Sequence, residues 1–383
     1  YIHYPFIYYP KSTISVKTKL TILQPAKYSF SIRGQIFSVL GQSIVIEPGT
    51  LSVKVSVVRL LLLTSLVSLV RLLLLTSLVS LMKFTARGLM PPVFTPLNDD
   101  LTVNYQVIPV YAKYLVDAGI KSVLVGGTTG EHMSLNVADR KKVVDAWLKS
   151  GKSIGLHIQV QVGGAPLADV LDLAKYCSSA GVDSLLTLPE LYFKPQTVDE
   201  LVSYVELVAK AAPNLPVLYY HIPSMSKVEV NMPAFVTAAT AKIPNFRGIK
   251  FTSNDLSEGA QVLRALKGDQ EIFLGADTLL APASLLGIKS SIGTTFNLFP
   301  RLAQDILDAV EKKEIEKARK LQEKLSKAIE AHTVEGAWVP IMKAGMEIVS
   351  GIKVGPPSLP QKPISIEARK RIESNLRTLE LAN

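Results

Sequence analysis

Cysteine is almost missing from this 383-residue chain: Cys177 is the only one, so no disulfide can form within it. That usage fits a reducing compartment, and the cytoplasm is the expected location. Cys177 closes the helical pattern Asp172-Leu173-Ala174-Lys175-Tyr176-Cys177 and reads as core filler. Neither a Cys-x-x-Cys pair nor a His-Glu-x-x-His signature occurs, so the sequence offers no motif for a metal, and none is expected. Acidic residues are nearly absent from the first 81 positions, where eight Lys/Arg face Glu47 alone. That skew supplies most of the formal charge of +10 and leaves +3 for residues 82–383. No basic stripe with interleaved aromatics appears there, so nucleic acid is not an expected partner.

Long apolar runs are confined to one place. Val58–Leu69 reads VRLLLLTSLVSL, and Val70–Leu81 repeats it letter for letter. Two identical copies of a twelve-residue unit suggest a recent duplication at the nucleotide level. Met82 follows at once, and residues 1–81 are expected to be upstream sequence read through in frame. The competing reading is a membrane anchor, since Leu60–Leu81 is about long enough to span a bilayer. Arg71 near its middle opposes this, at a cost on the order of 3 kcal/mol for insertion. A membrane is expected as a partner only if the repeat is genuine.

From Arg87 onward, short β-branched runs alternate with longer amphipathic stretches. Eight strands are expected, at Gly88–Thr95, Ser122–Gly127, Ser153–Val162, Ser184–Leu188, Val217–Ile222, Phe246–Phe251, Glu271–Gly275 and Ser290–Thr294. Helical patterns fill the gaps, among them Tyr105–Ala118, Leu167–Ala180 and Val198–Ala211. Strict alternation implies parallel strands with right-handed crossovers, and eight such units imply an α/β fold of the closed (β/α)8 type, the TIM barrel. A doubly wound sheet is the alternative. Four further helical patterns, from about residue 301, follow the last strand.

The chemistry-bearing residues fall at the expected strand ends, where this architecture places its sites. Lys250 lies in the apolar run Arg247-Gly248-Ile249-Lys250-Phe251-Thr252. A lysine carried into such a run is costly unless its charge is paired or removed, and the free amine is a carbonyl nucleophile. A lysine that reaches back to solvent from the strand end would fit the same letters. Tyr219-Tyr220-His221-Ile222-Pro223 ends the preceding strand, and alternation sends Tyr220 and Ile222 one way and Tyr219 and His221 the other. An inward tyrosine beside a lysine can relay protons, whereas a packed tyrosine is the plainer alternative. His221 reads as outward and structural; His132 and His157 have no partner at catalytic spacing. Gly126-Gly127-Thr128-Thr129-Gly130-Glu131 presents backbone N–H groups and two hydroxyls at a strand-to-helix junction, which suits a carboxylate or phosphate, or simply makes a tight capped turn. Together, an anion cradle, a tyrosine and a buried lysine equip a chain for Schiff-base chemistry on a 2-keto acid.

At these residues the sequence resembles the N-acetylneuraminate lyase/dihydrodipicolinate synthase family of class I aldolases. The resemblance rests on Gly127–Glu131, Tyr220–Pro223, Gly248–Thr252, Gly275–Asp277 and Ile292–Asn297, in that order, and does not reach residues 1–81. It implies Lys250 as the imine-forming lysine and Tyr220 as the proton relay. It implies Thr128 and Thr129 as holders of the pyruvate carboxylate, and Tyr192 as a residue lent to a neighbouring subunit's site. Thr252, Gly275, Asp277, Thr278 and Thr294 match positions along the sugar chain. The implied activity is cleavage of N-acetylneuraminate to N-acetylmannosamine and pyruvate by a homotetramer without cofactor. Met225 stands where the synthases carry an arginine, and a thioether cannot pair with a second carboxylate. Thr278 stands where the lyases commonly carry glutamate. Met225 thus disfavours a dicarboxylate product, Thr278 leaves a related aldolase for 2-keto-3-deoxy sugar acids as an alternative, and a catalytically silent relative is a separate one.

Overall fold

The computed structural model of the chain describes residues 83–382 and, as a separate unit, a short antiparallel ladder between Phe37–Val39 (β1) and Gln42–Ile44 (β2). The tandem repeat at 58–81 lies outside the described residues. Among the described residues no helix is long and apolar enough to cross a membrane.

The larger unit is built on a parallel sheet of seven strands: Ser122–Val125 (β3), His157–Gln161 (β4), Ser184–Thr187 (β5), Val217–His221 (β6), Phe246–Phe251 (β7), Glu271–Leu274 (β8) and Ser290–Ser291 (β9). Each pairs with its sequence neighbour, in the order β3-β4-β5-β6-β7-β8-β9. A helix separates each strand from the next, as parallel pairing requires. Leu167–Ala180 and Val198–Ala211 coincide with the expected helices. The second has a full capping box, with Thr197 and Glu200 each accepting from the other's backbone N–H.

The expected first strand, Gly88–Thr95, does not form a ladder. It makes isolated bridges instead, Leu89 to Ser291 and Pro92 to Leu124. The Met90 N–H donates to the Ser291 carbonyl at 2.9 Å on one side, and the Val93 N–H to the Leu124 carbonyl at 2.9 Å on the other. Pro91 and Pro92 have no N–H to give, so a continuous ladder is impossible there. The expected last strand is also cut short: Thr294 lies in the 3-10 turn Thr294–Asn297 rather than in β9. Ser153 and Ile154, expected to open the third strand, lie in the 3-10 turn Lys152–Ile154.

Side chains divide along the strands with a period of two. Leu124, Leu186, Leu218, Tyr220, Phe273 and Ile292 belong to one buried cluster. Their neighbours Val123, Leu185, Tyr219, Ile249, Phe251 and Leu274 pack in the other, with the helices. Fully burying one such aliphatic or aromatic side chain stabilises by roughly 1.5–3 kcal/mol. Lys250, flanked by Ile249 and Phe251, therefore falls in phase with Tyr220 and Phe273, away from the helical layer.

Beyond β9 the chain continues as Pro300–Glu311, Ile315–Thr333, Trp338–Ser350 and Ile366–Thr378. These match the four helical patterns expected there.

Candidate active site

β6 and β7 set the centre of the site. Their register pairs Tyr220 directly with Lys250, and Lys250 in turn with Phe273 on β8. Tyr220 is 2% exposed and Lys250 4%. The Lys250 Nζ lies 4.0 Å from the Tyr220 ring centroid. The lysine is thus enclosed and does not reach back to solvent.

The Thr128–Thr129 turn meets this pair. Thr128 Oγ1 and the Tyr220 hydroxyl are 3.2 Å apart, and Thr129 Oγ1 and Thr294 Oγ1 2.8 Å apart. Gly126, which opens the turn, has φ +79°, and a Cβ on it would collide with the His132 ring. Glycine is needed there on both counts. Trp338 donates its indole N–H to Thr294 Oγ1 at 3.2 Å. An indole can only donate, so one lone pair of that hydroxyl is committed.

A cavity of about 380 Å³ opens beside this centre. Thr252, Gly275, Asp277 and Thr278 line it, with Ser253 and Trp338. The buried Thr252 Oγ1 has no protein partner, so it is free for a ligand hydroxyl. Gly275 sits against Thr252 so closely that a Cβ would overlap Oγ1. Asp277 is buried, and its carboxylate accepts from the Thr295 N–H at 2.9 Å and the Thr295 hydroxyl at 2.7 Å. Burial pushes its pKa up, against the opposing pull of the Thr295 bonds and of Lys250. Thr278 is exposed at the cavity edge.

Of the residues singled out from the sequence, Lys250, Tyr220, Thr128, Thr129 and Thr294 are joined by these contacts, and Thr252, Gly275, Asp277 and Thr278 line the cavity. Tyr192 is not among them: it is 80% exposed and packs edge-on against Phe193, itself 84% exposed, at 4.9 Å. His221 is buried and stacks on Phe251 at 5.3 Å, and burial lowers its pKa to about 4. Both are outward-phase residues, as alternation required. His132 is also buried, with its pKa lowered to about 3. Cys177 is buried, and burial raises its thiol to about 12, which makes it inert.

Two contributors carried no local signal in the sequence: Trp338, which touches Thr294, and Thr295, which holds Asp277. Thr295 lies in the same run as Thr294, but only the turn shows which of the two hydroxyls faces which partner.

The sequence signature described as the dihydrodipicolinate synthetase family matches residues 85–379. The chain belongs to this family. N-acetylneuraminate lyase from Mus musculus is 33% identical over 300 residues, covering 78% of this chain and 94% of that protein. The Homo sapiens N-acetylneuraminate lyase is likewise 33% identical, with the same coverage. Among solved structures, the N-acetylneuraminate lyase of Proteus mirabilis superposes with a TM-score of 0.74 at 31% identity, covering 78% of this chain and 100% of that one. The sialic acid aldolase of Aliivibrio salmonicida gives 0.75 at 31% identity, covering 78% and 99%. As a family member the chain has the family's TIM-barrel fold, seen here as seven ladder strands with the Leu89 and Pro92 bridges between β9 and β3.

Proposed function

We propose that the protein is an N-acetylneuraminate lyase, a class I aldolase that cleaves N-acetylneuraminate to N-acetylmannosamine and pyruvate, and that residues 82–383 are its catalytic unit. The observation that carries this reading is the enclosed Lys250 held 4.0 Å over the Tyr220 ring, beside the Thr128–Thr129 turn. Similarity to lyases of that name supports it. In this reading the segment 88–95 serves as the eighth stave of a closed barrel.

The substrate carboxylate docks on Thr128 and Thr129, whose hydroxyls and backbone N–H groups can donate to it. The Lys250 amine attacks the keto carbon, water leaves, and an iminium forms. Tyr220 relays the proton of the hydroxyl on the carbon beta to the imine, its phenol accepting that proton as it passes its own to the bound carboxylate. The bond between the alpha and beta carbons breaks, a carbonyl forms on the departing sugar, and the electron pair passes into the iminium to give an enamine. Protonation of the enamine and hydrolysis release pyruvate and restore the amine. The hydroxyl of Tyr220 is suited to the proton step because Thr128 Oγ1 lies within hydrogen-bonding distance of it. The sugar chain lies along Thr252, Gly275, Asp277, Thr278 and Thr294. The protein assembles as a homotetramer in the cytoplasm, and Tyr192 and Phe193, both exposed, belong to a subunit contact across which Tyr192 reaches a neighbour's site.

The cavity also favours a second reading. Thr278 at its edge is short and neutral, so an aldolase for shorter 2-keto-3-deoxy sugar acids would fit the same centre. Pyruvate release from N-acetylneuraminate and from 2-keto-3-deoxy acids, measured side by side, tests both. Release from neither, with no pyruvate adduct trapped by borohydride, would leave the silent relative as the surviving description.

A further inference from the structure

The Thr128–Thr129 turn is gripped from outside the strands by one helix, Trp338–Ser350, at two points. Trp338 at its start reaches Thr294, which bonds Thr129. Lys343, further along, forms an ion pair with Glu131 at 2.6 Å, with the two side chains 2% and 3% exposed. Glu131 ends the run Gly127-Thr128-Thr129-Gly130-Glu131, and its N–H donates to the Thr128 carbonyl at 3.1 Å.

The pair is tied in on every side. Lys343 Nζ also donates to the carbonyls of Thr95, at 3.2 Å, and Pro356, at 2.7 Å. Thr95 returns the connection, donating its hydroxyl to the Gly130 carbonyl at 2.6 Å. The second Glu131 oxygen accepts from the Ser358 N–H at 2.6 Å and from Gln361 Nε2 at 3.2 Å. Glu131 itself holds φ +54°, a left-handed conformation that a non-glycine residue adopts only when its surroundings insist. Two opposite charges placed in the dry interior are costly unless hydrogen bonds offset the desolvation; here Glu131 Oε1 accepts two and Lys343 Nζ donates two, while Glu131 Oε2 meets only the ammonium charge. A hydrophobic pair would fill the space without aiming the turn.

We propose that the Glu131–Lys343 pair is a positioning device: it fixes the Thr128–Thr129 turn against the helix Trp338–Ser350, so that both hydroxyls stand ready for the substrate carboxylate. It rests on the reading of that turn as the carboxylate cradle. Neither residue touches substrate. Their effect is to hold two donors in place before pyruvate arrives, so the loss falls on pyruvate affinity and not on the carbon–carbon step.

The test is borohydride trapping of pyruvate on the full chain, titrated over pyruvate concentration, alongside KM and kcat for cleavage of N-acetylneuraminate. Glu131→Gln keeps the side chain's shape and removes the charge. Its half-saturating pyruvate concentration should rise about tenfold, with the trapped amount at saturation unchanged and kcat within about twofold. Glu131→Gln with Lys343→Met removes both charges and should show the same weakened half-saturation with recovered thermal stability. Trp338→Phe keeps an aromatic ring, loses the indole N–H, and should shift half-saturation in the same direction. A lower Tm or a lower trapped maximum with half-saturation unchanged in these variants would mean a purely structural pair and overturn the proposal. A wild-type chain that traps no pyruvate would overturn the cradle reading itself, which separates the two failures.

Discussion

Lys250 and Tyr220 are partners in register across β6 and β7, and the lysine Nζ stands 4.0 Å from the centre of the tyrosine ring. Period-two alternation turns both side chains away from the helices, and the parallel ladder holds their Cα atoms side by side. An amine and a phenol so placed can act on one small carbonyl compound, the first as nucleophile and the second as proton carrier.

Replacing Lys250 by Met should abolish borohydride trapping of pyruvate and lower the cleavage rate by a thousandfold or more, on the order seen when a nucleophile is removed. Methionine fills a similar volume in an enclosed site, so Tm should stay within a few degrees of wild type. An adduct that persists in this variant would place the imine on another lysine.

Tyr220→Phe separates the two roles. The amine remains, so pyruvate should still be trapped, while kcat falls by about 10²–10⁴-fold for want of the proton carrier. Measuring adduct yield and kcat on the same preparation checks this. A variant with near-wild-type kcat would remove Tyr220 from the mechanism.

Thr278 gives a prediction about selectivity. A glutamate there could form a charge-assisted bond to a sugar hydroxyl, of the kind worth about 1.5–3 kcal/mol. Thr278→Glu should therefore raise kcat/KM for N-acetylneuraminate relative to a 2-keto-3-deoxy acid by about tenfold or more. No change in that ratio would show that position 278 does not reach the sugar chain.

Buried histidines set an acid limit on stability. Burial, with Arg140 nearby, lowers His132 to about 3 from an ordinary 6.5, and burial lowers His221 to about 4. Above pH 6.5 each is neutral in both folded and unfolded chains, and its contribution does not change with pH. Between 6.5 and the folded value the unfolded chain binds the extra proton, so stability falls as pH falls. The slope is about 1.4 kcal/mol per pH unit for each such histidine. Tm should drop from pH 6.5 to pH 4, and His132→Leu should flatten that drop. A wild-type slope in the variant would assign the acid sensitivity elsewhere.

Breaking the Glu131–Lys343 pair from one side should cost stability as well as affinity. Lys343→Met leaves a carboxylate buried and unpaired, for a loss of about 3–5 kcal/mol, and adding Glu131→Gln should recover most of it. Denaturant unfolding of the two variants measures the difference. Equal stability in both would mean that water reaches the site and solvates the carboxylate.

The order of strands and helices was legible because it depends on local periodicity. Apolar alternation places Tyr220 and Lys250 inward and Tyr219 and His221 outward whatever surrounds them, and the strand Phe246–Phe251 has the expected bounds. The glycines and threonines of residues 126–131 likewise announce a turn with donors. The expected strand at Gly88–Thr95 failed for a reason also written locally, since two consecutive prolines remove the N–H groups a ladder needs. What its flanks bridge instead, Ser291 on one side and Leu124 on the other, could not be read there.

The sequence by itself determined the alternating architecture and the candidate amine, because those follow from side-chain period and residue chemistry within a few neighbours. Only the tertiary structure decided which distant groups hold the cradle. Glu131 and Lys343 are more than two hundred residues apart, and Trp338 finds Thr294 across 44 residues. Ion pairs and hydrogen bonds act over a few ångströms in space, and separation along the chain carries no information about them until the helices are packed.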